Sequence, residues 1–291
     1  MKIVKYIGGL GNQMFIYAFS VALRETFKQD IYVDTHYYKS RYFHNGLEIE
    51  RIFGIRLKEA KLIQKLKMSW YFPNYWIDYH LLGKLPARKD TVRELPGQKV
   101  NMKLLKDPSG KFYDGYWQSY QYFDSFRSII LKEFTFPNFE EEDKKNYELA
   151  NKLLCENNSI GIHIRRGDYL KNWKYRGLCG LDYYKQAIAY ILEDITSPKF
   201  YLFSDDIEWC QENISPLLRG YDVSFVNWNH HLNSYKDMQL MTMCKSLIIA
   251  NSSFSWWAAY LNQNNPIVIA PEKWINSFMD FRIQYKNWKT F

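Results

Sequence analysis

The sequence is poor in the residues that hold small or metal-built scaffolds together. Four cysteines occur in 291 residues, Cys155, Cys179, Cys210 and Cys244, all in the second half. No two have C-x-x-C spacing and none sits in a Cys/His cluster of zinc-ligand spacing. A disulfide framework and a zinc ribbon are therefore excluded, and reduced core thiols are the reading. Fourteen glycines and nine prolines are too few for a collagenous or low-complexity chain. No window approaches about 18 consecutive apolar residues, so a spanning helix is not expected. The apolar start, Met1–Ile7, is too short for a signal-peptide core and has no cleavage site. The expectation is a soluble, cytoplasmic protein.

What is present is basic and aromatic. Lysine and arginine number 39 against 31 acidic residues, a formal charge of +8, and Trp, Tyr and Phe make up 18% of the chain. The hydrophobic share of 47% and the charged share of 24% are those of a protein with a sizeable core. The length suits about two domains. Positive charge with many aromatics suggests nucleic acid, an anionic membrane surface or sugar as partner, and composition does not choose among them.

The chain opens as strand, loop, helix, strand. Lys2–Ile7 reads as a buried strand and Gly8–Gln13 as a loop. From Met14 apolar residues recur at helical steps, and Ile31–Asp34 reads as a second strand. The second half repeats this rhythm, with strands expected near Ile160, Phe200, Val223, Ser246 and Pro266. Helices are expected at Leu181–Ile195, Ile207–Asn213, Ser234–Cys244 and Phe254–Asn262. That alternation predicts an α/β fold with parallel sheets whose loops after the strands bind ligands. Between them, residues 56–111 hold 13 Lys/Arg against 5 Asp/Glu, an excess equal to that of the whole chain. Arg56–Trp70 reads there as a basic amphipathic helix, a solvated surface helix or one that lies on a bilayer.

Four blocks carry chemistry. Gly8-Gly9-Leu10-Gly11-Asn12-Gln13 follows a strand and precedes a helix, and Asp34 lies about 20 residues on. The dinucleotide fingerprint fails because Met14 stands where its third glycine belongs, and no Gly-Lys-Ser/Thr follows for a Walker loop. A glycine turn remains, beside two carboxamides that can both donate and accept bonds as sugar hydroxyls require. His163-Ile164-Arg165-Arg166-Gly167-Asp168-Tyr169 ends a strand in two arginines, a pyrophosphate clamp or a structural Arg–Asp pair. Ser204-Asp205-Asp206 ends another strand in adjacent carboxylates that could accept from a guanine edge or ribose, or cap the next helix. Asn251-Ser252-Ser253-Phe254-Ser255-Trp256-Trp257 reads as a turn and a capped helix whose first amides can hold an anion. Asp-x-Asp, a carboxylate signature of metal-assisted sugar-nucleotide binding, occurs nowhere, so no metal site and no cofactor is expected.

Together with Gly115–Ser119 (GYWQS), these blocks in this order resemble the bacterial α-1,2-fucosyltransferases of glycosyltransferase family 11 over nearly the whole chain. The resemblance implies a GT-B-like α/β fold, two Rossmann-like domains facing each other across a cleft. It implies an inverting, metal-independent transfer of L-fucose from GDP-fucose to the 2-hydroxyl of a galactose-containing glycan in surface polysaccharide synthesis. The donor side would be Gly9, Gly11, Asn12, Gln13, His163, Arg165, Arg166, Asp205, Asp206, Ser252, Ser253 and Phe254. Arg165 would hold the leaving phosphate, and Asp168, His36 and Asp34 are candidate bases. Asp34, His36, Trp117 and Gln118 would border the acceptor. After Ser119 many relatives continue Glu-Lys where this chain has Tyr120-Gln121, which bears on acceptor choice. The expected domains are 1–150, carrying the basic insertion 56–111, then 151–275, with 276–291 packing back on the first. Expected partners are GDP-fucose, a glycan acceptor that could be lipid-linked, and the cytoplasmic membrane surface, but no nucleic acid. The rival readings are a GT-B enzyme for another sugar nucleotide and, further off, a basic nucleic-acid-binding protein.

Overall fold

The computed structural model describes residues 1–39, 45–72, 74–94, 99–277 and 282–291. The chain divides into two compact units, Met1–Phe136 and Pro137–Phe291.

The first unit is built on four parallel strands: β1 (Lys2–Lys5), β2 (Ile31–Asp34), β3 (Thr91–Arg93) and β4 (Lys111–Asp114), in spatial order β2-β1-β4-β3. Between β1 and β2 runs α1 (Leu10–Phe27), buried on nearly every side from Leu10 to Leu23. From Met14 to Leu23 its sequence is apolar on every face but for Ser20, as a helix enclosed by neighbours requires. The helix starts four residues earlier than the periodicity predicts. Gly9, in extended conformation, caps it, and its carbonyl accepts from the amides of Asn12 and Gln13 at 3.0 Å each. Asn12 and Gln13 thus belong to the first helical turn and not to a loop.

The second unit holds six parallel strands: β5 (Ser159–Ile164), β6 (Lys199–Ser204), β7 (Asp222–Val226), β8 (Ser246–Ile248), β9 (Ile267–Ala270) and β10 (Lys289–Thr290). Their spatial order is β10-β9-β8-β5-β6-β7. Every residue of β5 is buried, since helices cover both faces of such a sheet and each side chain needs an apolar neighbour. Tyr184, Ile188 and Ile191 of the helix Leu181–Asp194 pack there with Ile160, Ile162 and Ile164 of β5.

Three expectations need correction. The domain boundary lies at 136/137 and not at 150, because the helix Lys144–Cys155 is bound into the second unit. Asn146 donates to Asn229 Oδ1 at 2.8 Å and accepts from the indole of Trp228 at 2.8 Å. Of the tail 276–291, expected on the first unit, the described residues complete the second. β10 adds to β9, the indole of Trp256 donates to Ile283 O at 2.8 Å, and Phe291 packs on Tyr190 at 5.5 Å. Within 56–111, the expected helix Arg56–Trp70 shrinks to Leu62–Met68. The residues before it run beside β2: Val33 N donates to Lys58 O at 2.9 Å and Ala60 N to Val33 O at 2.8 Å. Among the described residues no helix is long and apolar enough to cross a membrane.

Candidate functional site

In the second unit the strand order reverses beside β5, where β6 and β7 leave on one side and β8, β9 and β10 on the other. A parallel sheet opens a crevice at that point, beyond its carboxyl edge. The loops after β5, β6 and β8 meet there, and they carry three of the four chemical blocks.

Arg165 and Arg166 follow the last residue of β5. The Arg165 guanidinium touches two carboxylates, Asp168 Oδ1 at 2.7 Å and Asp205 Oδ2 at 3.1 Å, and remains partly open to solvent. Arg166 is held by its amide on Asp205 Oδ1 at 2.8 Å and by its Nε on Asp206 Oδ2 at 3.0 Å. Its guanidinium lies 4.0 Å from the centre of the Trp209 ring. Asp206 also caps the helix that follows, accepting from Trp209 N at 3.1 Å. Of the two alternatives for the acidic pair, the cap is present at Asp206, and both carboxylates also hold the arginines. A Cβ on Gly167 would stand 2.8 Å from Asp205 Oδ2, so glycine is needed for this approach. Asp168 is the most exposed member of the cluster.

His163 lies one residue before the end of β5, buried, with its Nδ1 unbonded among the described residues. Burial, and then the charge of Arg165, hold its pKa down at about 3, so the ring is neutral near pH 7. Its ring lies 5.9 Å from that of Phe254. From the loop after β8, Ser252 caps the helix Ser253–Leu261 and accepts from Phe254 N at 3.3 Å. The Phe254 amide, expected to face a diphosphate, is thus engaged by the cap. Ser253 is the first helical residue, half-buried. Sequence reasoning missed two residues that join these loops. Tyr169 donates to Asn251 O at 3.3 Å, and Asn251 ties the turn to Trp274 O at 3.1 Å. Both stand inside recognised blocks, but their roles depend on contacts more than twenty residues away.

The first unit has the same reversal beside β1, between the loops after β1 and β4. Gln118 Nε2 bridges them, donating to Asn12 Oδ1 at 2.7 Å. Gln13, however, is fully buried and fully used. It donates to Gly8 O at 3.1 Å and Gly46 O at 2.8 Å and accepts from the amides of Glu48 at 2.8 Å and Ile49 at 3.2 Å. All four of its bonding positions are filled, so it is not a ligand-binding amide. The glycine whose geometry matters most is Gly8, at φ 80°, where a Cβ would meet Asn12 Nδ2 at 2.7 Å. Gly9 is the extended cap and Gly11 lies within α1.

The other first-unit candidates are buried as well. Asp34 is ion-paired with Lys65 Nζ at 2.5 Å. His36 is buried beside the Tyr71 ring at 4.7 Å. Trp117 is a core residue stacked on Phe19 at 4.5 Å, not a groove wall. Its backbone is left-handed, φ 55°, and is held by Glu94 Oε2, which accepts from the amides of Tyr116 and Trp117 at 2.7 Å each.

Residues 3–290 match the sequence model described as glycosyl transferase family 11. The chain belongs to that family. As a family 11 glycosyltransferase it is 33% identical to an α-1,2-colitosyltransferase of Escherichia coli over 95% of this chain and 94% of the relative. It is 28% identical to galactoside α-(1,2)-fucosyltransferase 2 of Hylobates lar over 93% of this chain and 71% of the relative. Among solved structures, the α-1,6-fucosyltransferase NodZ co-crystallised with GDP superposes with a TM-score of 0.54 at 14% identity. That match covers 89% of this chain and 91% of NodZ, so the family 11 glycosyltransferase has the same GT-B-like α/β fold.

Proposed function

We propose that this family 11 glycosyltransferase moves L-fucose from GDP-fucose to the 2-hydroxyl of a galactose-containing glycan, with inversion and without a metal. The observation that carries the reading is Arg165, a guanidinium at the reversal point of the second sheet, held between two carboxylates. Its planar fork suits phosphate oxygens. In an inverting transfer the acceptor hydroxyl attacks the anomeric carbon as the bond to the diphosphate breaks. Positive charge then gathers on the sugar ring and negative charge on the leaving GDP. Arg165 stabilises that leaving group. Asp168, the exposed carboxylate beside it, takes the hydroxyl proton.

Around this centre, Arg166, the Ser252–Ser253 turn and neutral His163 line the nucleotide, with Asp205 and Asp206 setting the two guanidiniums. The relatives' names support an α-1,2 linkage and a galactoside acceptor, and the GDP bound to NodZ supports the nucleotide. A second reading follows from the colitosyltransferase relative. Colitose is fucose without the 3-hydroxyl, so the choice turns on one hydrogen-bonding group, which a polar pocket can discriminate strongly.

A donor-by-acceptor screen in EDTA tests the proposal. GDP-fucose and GDP-colitose are offered with lactose and N-acetyllactosamine, and the linkage is read by NMR. The expected product is the α-1,2-fucosyl galactoside. A preference for GDP-colitose selects the second reading, and turnover only with a uridine or adenine sugar nucleotide overturns both.

A further inference from the structure

The basic segment of the first unit carries an inverted helix. In Leu62–Met68 the central charged residue, Lys65, is 3% exposed and points inward to Asp34 and Glu59, at 2.5 and 2.6 Å. Three aliphatic residues of the same helix point outward: Leu62, Ile63 and Leu66 are 53, 62 and 45% exposed. A short helix that buries its charge and shows its leucines needs an explanation beyond scattered surface hydrophobics. The apolar surface continues past the helix. Trp70 is nearly half exposed, with its indole anchored on Pro86 O at 2.9 Å and the Arg88 guanidinium 5.3 Å from the ring. Arg88 also bonds Leu66 O at 2.6 Å, which ties the exposed Leu85 and its neighbours to the helix.

The charge around this patch is mostly positive. Lys61, Lys67, Lys84 and Lys89 are exposed. The segment's acids are occupied within the fold. Glu59 holds Lys65, Asp78 faces Lys5 at 3.8 Å, and Asp90 faces Lys111 at 3.7 Å. Glu94 holds the two amides after β4, and Asp107 Oδ1 accepts from Ser109 N at 2.9 Å. The uncompensated charge therefore belongs to the surface.

We infer that Leu62, Ile63, Leu66 and Trp70, fringed by Lys61, Lys67 and Lys84, seat the protein on an anionic phospholipid bilayer. Aliphatic side chains enter the headgroup boundary, an amphipathic tryptophan sits at its level, and lysines meet lipid phosphates. A second copy docked by the same patch would set lysines against lysines. Nucleic acid would leave the leucines without a partner.

The test is flotation of the full chain with phosphatidylglycerol–phosphatidylethanolamine vesicles and, separately, with phosphatidylcholine vesicles. The wild type is expected to bind the anionic vesicles at least tenfold more tightly, and less so as salt is raised. The triple variant Leu62→Ser, Ile63→Ser, Leu66→Ser and the triple variant Lys61→Glu, Lys67→Glu, Lys84→Glu should each lose at least tenfold. Both should keep the melting temperature, because the altered side chains are exposed. Three results overturn the inference: no wild-type binding to anionic vesicles at low salt, unchanged binding of the aliphatic variant, or a wild-type dimer that this variant makes monomeric. None of these readouts depends on the sugar transferred.

Discussion

The two units present polar motif residues at the same topological place and use them in opposite ways. Beyond β5 the side chains of Arg165, Arg166 and Asp168 reach solvent, paired but accessible. Beyond β1 and β4 the comparable residues turn inward: Gln13 closes four bonds in the interior and Trp117 stacks on Phe19. A motif in a loop after a parallel strand therefore marks a location and not a role. The role follows from whether the protein itself fills the bonding positions.

That contrast is breakable by mutation, most sharply at Arg165. Arg165→Ala should keep the wild-type melting curve and lose about 10²–10³ in turnover, the usual cost of removing one preorganised donor from a leaving group. Near-normal turnover in the folded variant would place the chemistry elsewhere. Gln13→Ala should do the reverse. It strands the buried amides of Glu48 and Ile49 and should cost about 2–3 kcal/mol in urea unfolding. A Gln13→Ala protein of normal stability but poor donor binding would erase the distinction between the units.

His163 is the second unit's exception, buried where its neighbours are accessible. Its pKa is about 3 folded against an ordinary 6.5, so below pH 6.5 the unfolded chain binds the extra proton. This contribution is complete above pH 6.5 and declines as pH falls from there toward 3, by up to about 1.4 kcal/mol per pH unit. His163→Gln should flatten that acid-side loss in urea midpoints between pH 6.5 and 5. An unchanged profile would mean that the imidazole is not held neutral. The smaller expected effect on turnover belongs to Asp168→Asn. A fall of about 10²-fold in turnover, the low end for a positioned general base, is expected.

Much of this fold was legible locally. Short apolar runs beginning near Ile160, Phe200, Val223, Ser246 and Pro266 are what strands buried on both faces require, and strands stand at all five places. The loops bearing HIRRGDY, SDD and NSSF were legible for the same reason, since each follows such a run. What escaped depends on distant partners. Nothing near Lys289 announces that it will extend β9, and nothing near Arg56 announces pairing with Val33 in place of a helical turn. Gln13 reads as a polar loop residue until Gly46, Glu48 and Ile49 arrive beside it. Lys65 reads as a solvated lysine until Asp34 calls it inward. Side chains of middling polarity are undecided by pattern and decided by whichever neighbours the topology delivers.

The carboxylates around Arg165 and Arg166 have one more consequence. Two guanidiniums stand among three carboxylates, so an anion arriving there meets no bare cation. It must trade places, with a guanidinium releasing a carboxylate oxygen as it takes one from the newcomer. The displaced carboxylates stay in the site, so the newcomer adds its own charge to the cluster, and a feeble competitor such as chloride gains nothing by it. The cluster is an ionic lock that yields only to an anion able to outbid aspartate.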